Sequence, residues 1–487
     1  MKSVGLILRR SAILGVAALT LSGCLTLGSK YERPEIAAPE QYRGAIAGAV
    51  PGPISDTWWK AFGDPRLDAL VDEALQANQD LKLAAARVEE ARAIYGEAQS
   101  DRYPQVYAGV SGVRTKLSRE TSQLPSNVDL TSTRIHAAAN LSYELDFWGR
   151  LARASEAARA EMIATEEGRR LVEVGLIADV VSGYFDLVSL EEQSEVTRRT
   201  IETRTESVRL QKLRYDAGTI SELDLAQAEA ELAAAQAAAP VIDVLRRQSE
   251  DQMGILLGRV GGVPVPDASV RLAALQLPEV PAGLPSDLLT RRADVVAAEQ
   301  RLVAAHARIA QARAGYFPSI NLTGYAGSES VELSGLFAAG TNIWSAAASL
   351  LQPIFQAGKV TRQVQAAKAR EKQILALYTK TVQTAFADVE DALIARTSGG
   401  ERREALERQA EALGRAQSLA RLRYDAGDAS YLEVLDAERN LFRAQLELVG
   451  ARRIELGAGV TLFKALGGGW QAAGAQPAAA SSGGGGQ

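Results

Sequence analysis

The sequence predicts a mainly α-helical protein with a smaller β portion, built as a tandem duplication of one plan. Three observations predict this. The hexapeptide LRYDAG occurs at 213–218 and again at 422–427, and proline-free helical patterns of about 67 residues precede both copies. Each half also contains two stretches in which apolar and polar residues alternate, as they do in strands. Self-similarity at a fixed offset is the usual sign of a duplicated architecture.

The duplication extends well beyond the hexapeptide. The two LRYDAG copies are 209 positions apart, and the same offset relates Gly149-Arg150 to Gly358-Lys359. Nearer the start of each half the offset is 214, which relates Tyr103-Pro104 to Phe317-Pro318. Because these matches occur in the same order in both halves, we interpret the chain as two copies of one unit.

The first residues predict an exported, lipid-anchored protein. Lys2, Arg9 and Arg10 precede the apolar run 12–21, which is too short to span a bilayer. The run ends in LSGC, which resembles a bacterial lipobox, and Cys24 is the only cysteine. The sequence therefore predicts a signal peptide over 1–23 and a covalent lipid on Cys24. An ordinary cleaved signal is the alternative.

The first element of each half is predicted as a helix with a heptad seam. From about 66 to 100, apolar residues recur every seven positions in two interleaved series, the pattern of a left-handed coiled coil. The first series is Leu67, Ala74, Leu81, Val88 and Tyr95, and the second is Leu70, Ala77, Ala84, Ala91 and Ala98.

The strands are predicted between the first and the long helix of each half. They cover about 103–117 and 131–148 in the first half, and about 316–329 and 341–356 in the second. Odd positions from Thr133 to Phe147 are mostly apolar, and the even positions between them are mostly polar. Such strands suit a barrel wall between lipid and water. Because four strands cannot close a barrel, several chains would have to share one.

The long helices and their partners complete each half. An unbroken long helix would measure roughly 100 Å. We expect breaks at Ser189 and at the corresponding Ser398, because Gly399-Gly400 interrupt the second copy. Pro240 is expected to kink or interrupt the returning helix. Gly218 and Gly427 are expected to take the turns between the helices.

Composition and motifs exclude several classes of function. With 54 Lys+Arg against 59 Asp+Glu the net charge is −5, which argues against a nucleic-acid-binding surface. The two histidines, His136 and His306, have no metal-ligand spacing around them, and no nucleophile elbow, P-loop or dinucleotide motif is present. We therefore predict no enzymatic activity, no metal and no cofactor other than the lipid.

The chain resembles the outer-membrane factor family, the TolC-like channels, in its lipoprotein branch. Besides the lipobox and the duplication, four stretches support the resemblance: WWKAFGDPRLDALV at 58–71, LPSDLLTRRADVVAAEQRL at 284–302, ARAGYFPSINLTG at 312–324 and YLEVLDAERNLFRAQ at 431–445. The resemblance covers nearly the whole mature chain. One departure is Ala293, where the family pattern has proline.

The resemblance implies a homotrimer in the bacterial outer membrane, extending into the periplasm. Three chains would supply twelve strands to one shared transmembrane β-barrel and twelve helical columns to a periplasmic α-helical barrel. The implied partners are a periplasmic adaptor protein, an inner-membrane transporter and outer-membrane lipid. The predicted domains are a signal peptide (1–23), a lipidated N-terminal and equatorial segment (24–65), a first repeat (66–258), a linker (259–285), a second repeat (286–466) and a Gly/Ala-rich tail (467–487).

The turns, at 214–220 and 423–429, form the periplasmic tip in such proteins, where the adaptor docks. The docking residues implied by the resemblance are Arg214, Tyr215, Asp216, Gly218, Arg423, Asp425 and Gly427.

The resemblance also implies a gate beside the second turn. Glu433 and Asp436 match the acidic positions that ring the closed entrance, and three copies would favour cations there. Tyr424 matches a tyrosine that helps latch the entrance, whereas an arginine found two residues past the turn glycine is Ala429 here.

The function implied is a passive exit duct of a tripartite efflux pump for small amphipathic molecules. The same channel in a type I protein secretion system is an alternative. An alternative of another class is a lipid-anchored coiled-coil scaffold that does not conduct, although a scaffold has no use for a lipid-facing apolar band.

Overall fold

The computed structural model describes residues 28–36, 39, 42, 55–121, 123–125, 127–263, 270–278, 280 and 288–468. The predicted signal peptide, Cys24, residues 264–269, 279 and 281–285 of the predicted linker, and residues 469–487 lie outside the described residues. In the first half α1 (Pro65–Ala77) and α2 (Gln79–Ser100) lead to β1 (Gln105–Lys116), β2 (Thr131–Leu145), α3 (Arg150–Asp216) and α4 (Glu222–Leu256).

The second half repeats this order. It contains α5 (Leu288–Arg291), α6 (Ala293–Ala314), β3 (Ser319–Ser330), β4 (Asn342–Leu351), α7 (Lys359–Asp425) and α8 (Tyr431–Ala465). Helices α3 and α7 both have 67 residues, and α4 and α8 both have 35. Both pairs begin and end 209 positions apart, so the duplication predicted from LRYDAG describes whole elements.

The described residues divide into two compact units. The sheet unit comprises those within Met1–Pro34, Val88–Thr165 and Ala298–Tyr378, and the turn unit those within Glu35–Arg87, Glu166–Ala297 and Thr379–Gln487. None of the helices in the described ranges combines the length and the apolar character that a transmembrane helix needs.

In the sheet unit, four antiparallel strands pair in the order β1-β2-β3-β4. The register pairs Val106 with Leu141 and Leu141 with Gly324, and it pairs Leu322 with Ala348. Because paired residues point to the same face, the alternating apolar positions of all four strands form one face. Below the sheet, Ala157 and Ala160 of α3 pack against Ala304 and Ala307 of α6.

The core of the turn unit lies around the middle of α3. Trp58 and Phe62 are buried against this region, and the Trp58 ring stacks on Phe463 near the end of α8 at 4.7 Å between centroids. Phe62 also contacts Phe185 edge to face at 5.0 Å. The segment before α1 is therefore held by both α3 and the last turns of α8.

The first predicted helix is divided in two, and the prediction of one helix over 66–100 is wrong. Asn78 separates α1 from α2: its Oδ1 accepts a hydrogen bond from Leu81 N, and its Nδ2 donates to the Leu256 carbonyl. An asparagine that caps the following helix ends the preceding one. In the second half Arg292 separates α5 from α6 and donates to the Ala465 carbonyl. Ala465 is the position equivalent to Leu256, which Asn78 contacts in the first half.

The predicted breaks in the long helices are also wrong, because α3 and α7 are continuous. Ser189 is buried and accepts a hydrogen bond from Gln193, one turn later in the same helix. A Cβ on Gly399 would lie 3.5 Å from the Glu455 Cα atom. The glycine pair therefore lets α8 approach α7 closely instead of ending the helix.

Pro240 does not interrupt α4, which continues from Glu222 to Leu256. The residue is exposed, so the carbonyl that its ring leaves without a donor can be hydrated instead of remaining unsatisfied.

Candidate functional site

The two LRYDAG segments connect α3 to α4 and α7 to α8 with the same backbone. Gly218 and Gly427 have φ angles of +70° and +81°, the left-handed region that favours glycine. In the first turn, Gly218 N donates to the Tyr215 carbonyl at 2.8 Å and Thr219 N to the Arg214 carbonyl at 2.9 Å. The second turn has the equivalent pair of bonds. This pattern satisfies the last carbonyls of each long helix.

The tyrosine of the second turn joins the two hairpins. Arg214 of the first turn donates from Nη1 to the Tyr424 hydroxyl at 2.6 Å, and Gln211 donates from Nε2 at 3.0 Å. The Arg214 guanidinium also lies 5.1 Å from the centre of the Tyr424 ring. A hydroxyl held by a cation and an amide is a directional link, so the first and second turns are tied to each other within one chain.

A small apolar cluster packs beneath this link. Tyr431 and Val434 of α8 are buried with Ala228 of α4, and the Tyr424 ring packs against them. The Tyr424 and Tyr431 rings lie 5.3 Å apart. The cluster places residues of both hairpins in contact directly behind the turns.

Glu433 is paired within its own hairpin. Arg423 Nη1 donates to its carboxylate at 3.1 Å, while Arg423 Nη2 donates to the Asp428 carbonyl. The equivalent acid in the first half, Asp224, instead accepts from Ser221 N and caps α4. The same position therefore serves helix capping in the first copy and a charge pair in the second.

Asp436 is also held by neighbours on α8. Its carboxylate accepts from Arg439 at 2.6 Å and from Asn440 at 3.1 Å. We expected Glu433 and Asp436 to act as a pair of acids on one helix face. The structure gives each of them an arginine partner, although both side chains are about half exposed.

The remaining predicted tip residues are exposed or weakly paired. Asp216 lies 3.5 Å from Lys212, Asp425 lies 3.7 Å from Arg421, and both acids are more than half exposed. Tyr215 is 39% exposed. Such side chains are accessible on each turn, as a docking surface requires.

Sequence reasoning missed two features of the turns. Arg423 and Glu433 stand five residues on either side of Asp428, so a hairpin brings them face to face, and this symmetry could have predicted the pair. Four leucines around the turns are more than half exposed, and they occupy equivalent positions in both copies: Leu213, Leu223, Leu422 and Leu432.

Charged residues are buried between the hairpins further from the turns. Arg204 is buried, pairs with Glu231 at 3.1 Å, and lies over the Phe442 ring. Burial raises the pKa of the nearby Glu438, while Arg421 and Arg204 oppose that shift. Among the described residues no group of three His, Cys, Asp or Glu side chains is placed to hold a metal ion.

The chain matches the profile of a family described as "Outer membrane efflux protein" over residues 70–259 and 284–468. These two ranges contain the strands, the long helices and both turns.

Curated proteins are similar over almost the whole chain. "Solvent efflux pump outer membrane protein SrpC" of Pseudomonas putida is 38% identical over 465 residues, covering 94% of this chain and 98% of that protein. "Probable outer membrane lipoprotein SilC" of Salmonella typhimurium is 35% identical, covering 92% and 96%. "Cation efflux system protein CusC" of Escherichia coli O6:H1 is 35% identical, covering 93% and 97%.

Solved structures have the same fold. The Campylobacter jejuni CmeC outer membrane channel matches with a TM-score of 0.86 and 26% identity, covering 92% of this chain and 95% of that one. The open state of the Neisseria gonorrhoeae MtrE outer membrane channel matches with a TM-score of 0.81 and 32% identity, covering 91% and 98%.

Proposed function

Because this chain belongs to the outer membrane efflux protein family, we propose that it works as a homotrimeric exit duct that is passive and has no catalytic chemistry of its own. It is an outer-membrane efflux channel. Energy for transport comes from an inner-membrane transporter, joined to the duct by a periplasmic adaptor. The cargo is small and amphipathic, in keeping with the solvent pump named among its relatives.

The register of the sheet is the observation that carries the proposal. It places alternating apolar side chains of all four strands on one face, with a mostly polar face opposite. A lipid-facing wall with water behind it requires this division. A non-conducting scaffold does not, so the register favours the channel over the scaffold.

Protein secretion uses the same kind of channel, and the alternatives differ in cargo and partners. Two of the relatives reported above, SrpC and CusC, are named for efflux of solvents and of cations. We therefore favour efflux of small compounds over type I secretion.

The turns are assigned two roles in this proposal. The exposed residues of both turns, together with the leucines beside them, receive the adaptor. The Tyr424 link and the acids Glu433 and Asp436 restrict the entrance, and Cys24 carries the lipid anchor. Support comes from the accessibility of the turns and from the Arg214–Tyr424 contact, which ties the two hairpins together.

Conductance in planar lipid bilayers tests the channel and its acidic gate together. The variant is Glu433→Gln with Asp436→Asn, which keeps side-chain volume and removes both charges. The matched control is Glu447→Gln, an exposed acid further along α8. We expect small, cation-selective currents from the unmodified protein, because carboxylates at a constriction favour cations.

In the double variant we expect larger currents or weaker cation selectivity, and no change in the control. A conducting protein indifferent to the double variant would place the gate elsewhere. Absence of current from folded, inserted protein would contradict the channel and favour the scaffold.

A further inference from the structure

The segment that follows the predicted lipid anchor is fixed on the sheet unit by several contacts. Arg33 donates from Nε and Nη2 to the two carboxylate oxygens of Glu299 at 2.7 and 2.6 Å. The Tyr31 ring contacts His306 edge to face at 6.1 Å, and His306 Nε2 lies 3.1 Å from the Ser29 carbonyl. Residues 29–33 therefore have a defined path along α6.

A cavity of about 160 Å³ opens where this segment begins. Gly28 and Ser29 form part of its wall, and three cationic side chains line it: Arg313 of α6, and Lys368 and Lys372 of α7. Lys368 and Lys372 are four residues apart, so they lie on the same flank of α7.

The cavity has an unbalanced positive charge. Within the part of the chain that the structure describes, the side chains of Arg313, Lys368 and Lys372 have no hydrogen bond or ion pair. The acid in the wall is Glu371, whose carboxylate lies 2.8 Å from His306 Nδ1. Three cations around one cavity without anionic partners attract an anion.

The chain itself limits how far this cavity lies from the membrane. Gly28 is four positions after Cys24, and four extended residues span at most about 14 Å. A lipid on Cys24 therefore keeps Gly28 within that distance of the bilayer surface.

The strand–helix junctions of the same unit contain exposed aromatic residues of the kind found at a membrane interface. Arg313 is one residue from the end of α6, which precedes β3. Exposed aromatic residues stand between helix and strand at Tyr103, Tyr316 and Phe355. Aromatic girdles of this kind mark the interfaces of transmembrane strands.

We propose that this cavity binds the phosphate of a membrane phospholipid beside the lipid anchor. The inference rests on the proposed outer-membrane placement and on acylation of Cys24. An arginine guanidinium and two lysines suit a phosphate diester, since arginine recognises its oxygens in pairs and lysine acts as a point charge. The bound lipid would bridge the anchor segment to α7 and hold this end of the protein at a fixed depth.

Native mass spectrometry of the detergent-solubilised, acylated protein tests the site. The probe is phosphatidylglycerol, compared with diacylglycerol of the same acyl chains and with inorganic phosphate. The variant is Lys368→Gln with Lys372→Gln. The matched control, Lys359→Gln with Arg370→Gln, removes two charges from another side of the same helix and leaves the cavity lining intact.

We expect the unmodified protein and the control to retain phosphatidylglycerol and to release diacylglycerol. The double variant should bind phosphatidylglycerol about 25-fold more weakly, because each lysine near a phosphate contributes about a fivefold gain. Equal retention by the variant and the control would overturn the proposal. Equal retention of diacylglycerol would overturn it as well, and displacement by inorganic phosphate at the same concentration would reassign the site to free phosphate.

The same preparations test the lipid site separately from acylation of Cys24 and from the proposed channel function. The mass of the chain reports acylation of Cys24, and the mass of the assembly reports folding of each variant. Bilayer currents test the channel independently, so loss of lipid binding in a conducting trimer would contradict the site and leave the proposed function intact.

Discussion

At the residue scale, two copies of one motif make different contacts. Arg214 and Arg423 occupy equivalent positions, yet Arg214 reaches the Tyr424 hydroxyl on the other hairpin while Arg423 pairs with Glu433 on its own. The difference follows from the acids that the two arginines face. Asp224 completes the capping box of α4 with Ser221, whereas Glu433 pairs with the arginine across the turn.

This asymmetry indicates which residue takes the place of an arginine found in some members of the family. The arginine that some family members have two residues past the turn glycine is Ala429 in this chain. A cation nevertheless reaches Tyr424, because Arg214 comes from the first turn. The link between hairpins therefore depends on a residue that the resemblance had assigned to docking.

Tyr424→Phe is expected to favour the open entrance. The change removes the hydroxyl that Arg214 and Gln211 bind and keeps the ring that packs on Tyr431. A hydrogen bond to a charged group contributes about 1.5–3 kcal/mol, so its loss from the closed state would raise the open-to-closed ratio by about tenfold or more. Single-channel recording measures this ratio.

The first copy provides the matched control for that change. Tyr215→Phe alters the equivalent tyrosine, which is exposed on the first turn, and should leave the ratio unchanged. Equal effects of the two variants, or none from Tyr424→Phe, would contradict a link through the Tyr424 hydroxyl.

At the scale of elements, glycine has two different structural roles in these helices. Gly218 and Gly427 end long helices because their backbone is left-handed. Gly399 lies within α7 and permits the close approach of α8. A single glycine in a helical pattern does not show whether it ends the helix or allows a neighbouring helix to approach.

Gly427→Ala should loosen the second turn, because a left-handed backbone costs an L-residue about 1–2 kcal/mol. No atom lies within 4 Å of the added Cβ, so the cost comes from the backbone alone. Hydrogen exchange of the Asp428 amide, which bonds the Arg423 carbonyl, should become about 5- to 30-fold faster.

Gly414→Ala, within α7, is the control. Its Cβ also meets nothing within 4 Å, and alanine is favoured over glycine in a helix by roughly 0.5–1 kcal/mol. Slower exchange around residue 414 is therefore expected. If the Asp428 amide exchanged equally slowly in Gly427→Ala and in the unmodified protein, the result would contradict the role of the left-handed glycine.

At the scale of the whole molecule, the sheet has two edges. The strand order leaves one side of β1 and one side of β4 unpaired within the chain. Backbone groups at an open edge have no partners in hydrocarbon, so each edge must meet another chain. This requirement is the physical reason for proposing that several chains share one barrel, and the resemblance implies that their number is three.

Cysteines introduced along β1 and β4 should therefore cross-link between protomers. The two strands are three strand spacings apart in one sheet, about 14 Å, which is too far for a disulfide within that sheet. Pairs such as Ala108→Cys with Ala346→Cys, scanned along the strands, should give dimer and trimer bands on denaturing gels. Pairs between β2 and β3, such as Ala139→Cys with Ala326→Cys, should cross-link within one chain.

Either of two results would count against the shared sheet. One is a β1–β4 scan that yields only monomer in the membrane-inserted protein. The other is a β1–β4 cross-link within a single chain, which the observed strand order does not allow.

The sequence by itself determined the order of elements, their duplication, the faces of the strands and the glycine turns. A period of two or 3.6 residues is readable within one segment, and the comparison of the two halves, which repeats LRYDAG, identifies the turns. The equal lengths of α3 and α7, and of α4 and α8, follow from the repeat at 209 residues.

Only the tertiary structure decided how those elements use their polar residues. Asn78 ends a helix because it also reaches the Leu256 carbonyl, whereas Ser189 does not, because burial and Gln193 satisfy it within the helix. Arg214 and Arg423 likewise bind different partners, because different polar groups lie within their reach. Such outcomes depend on groups far apart in the chain, whose distances are set when helices pack and buried polar atoms must find partners.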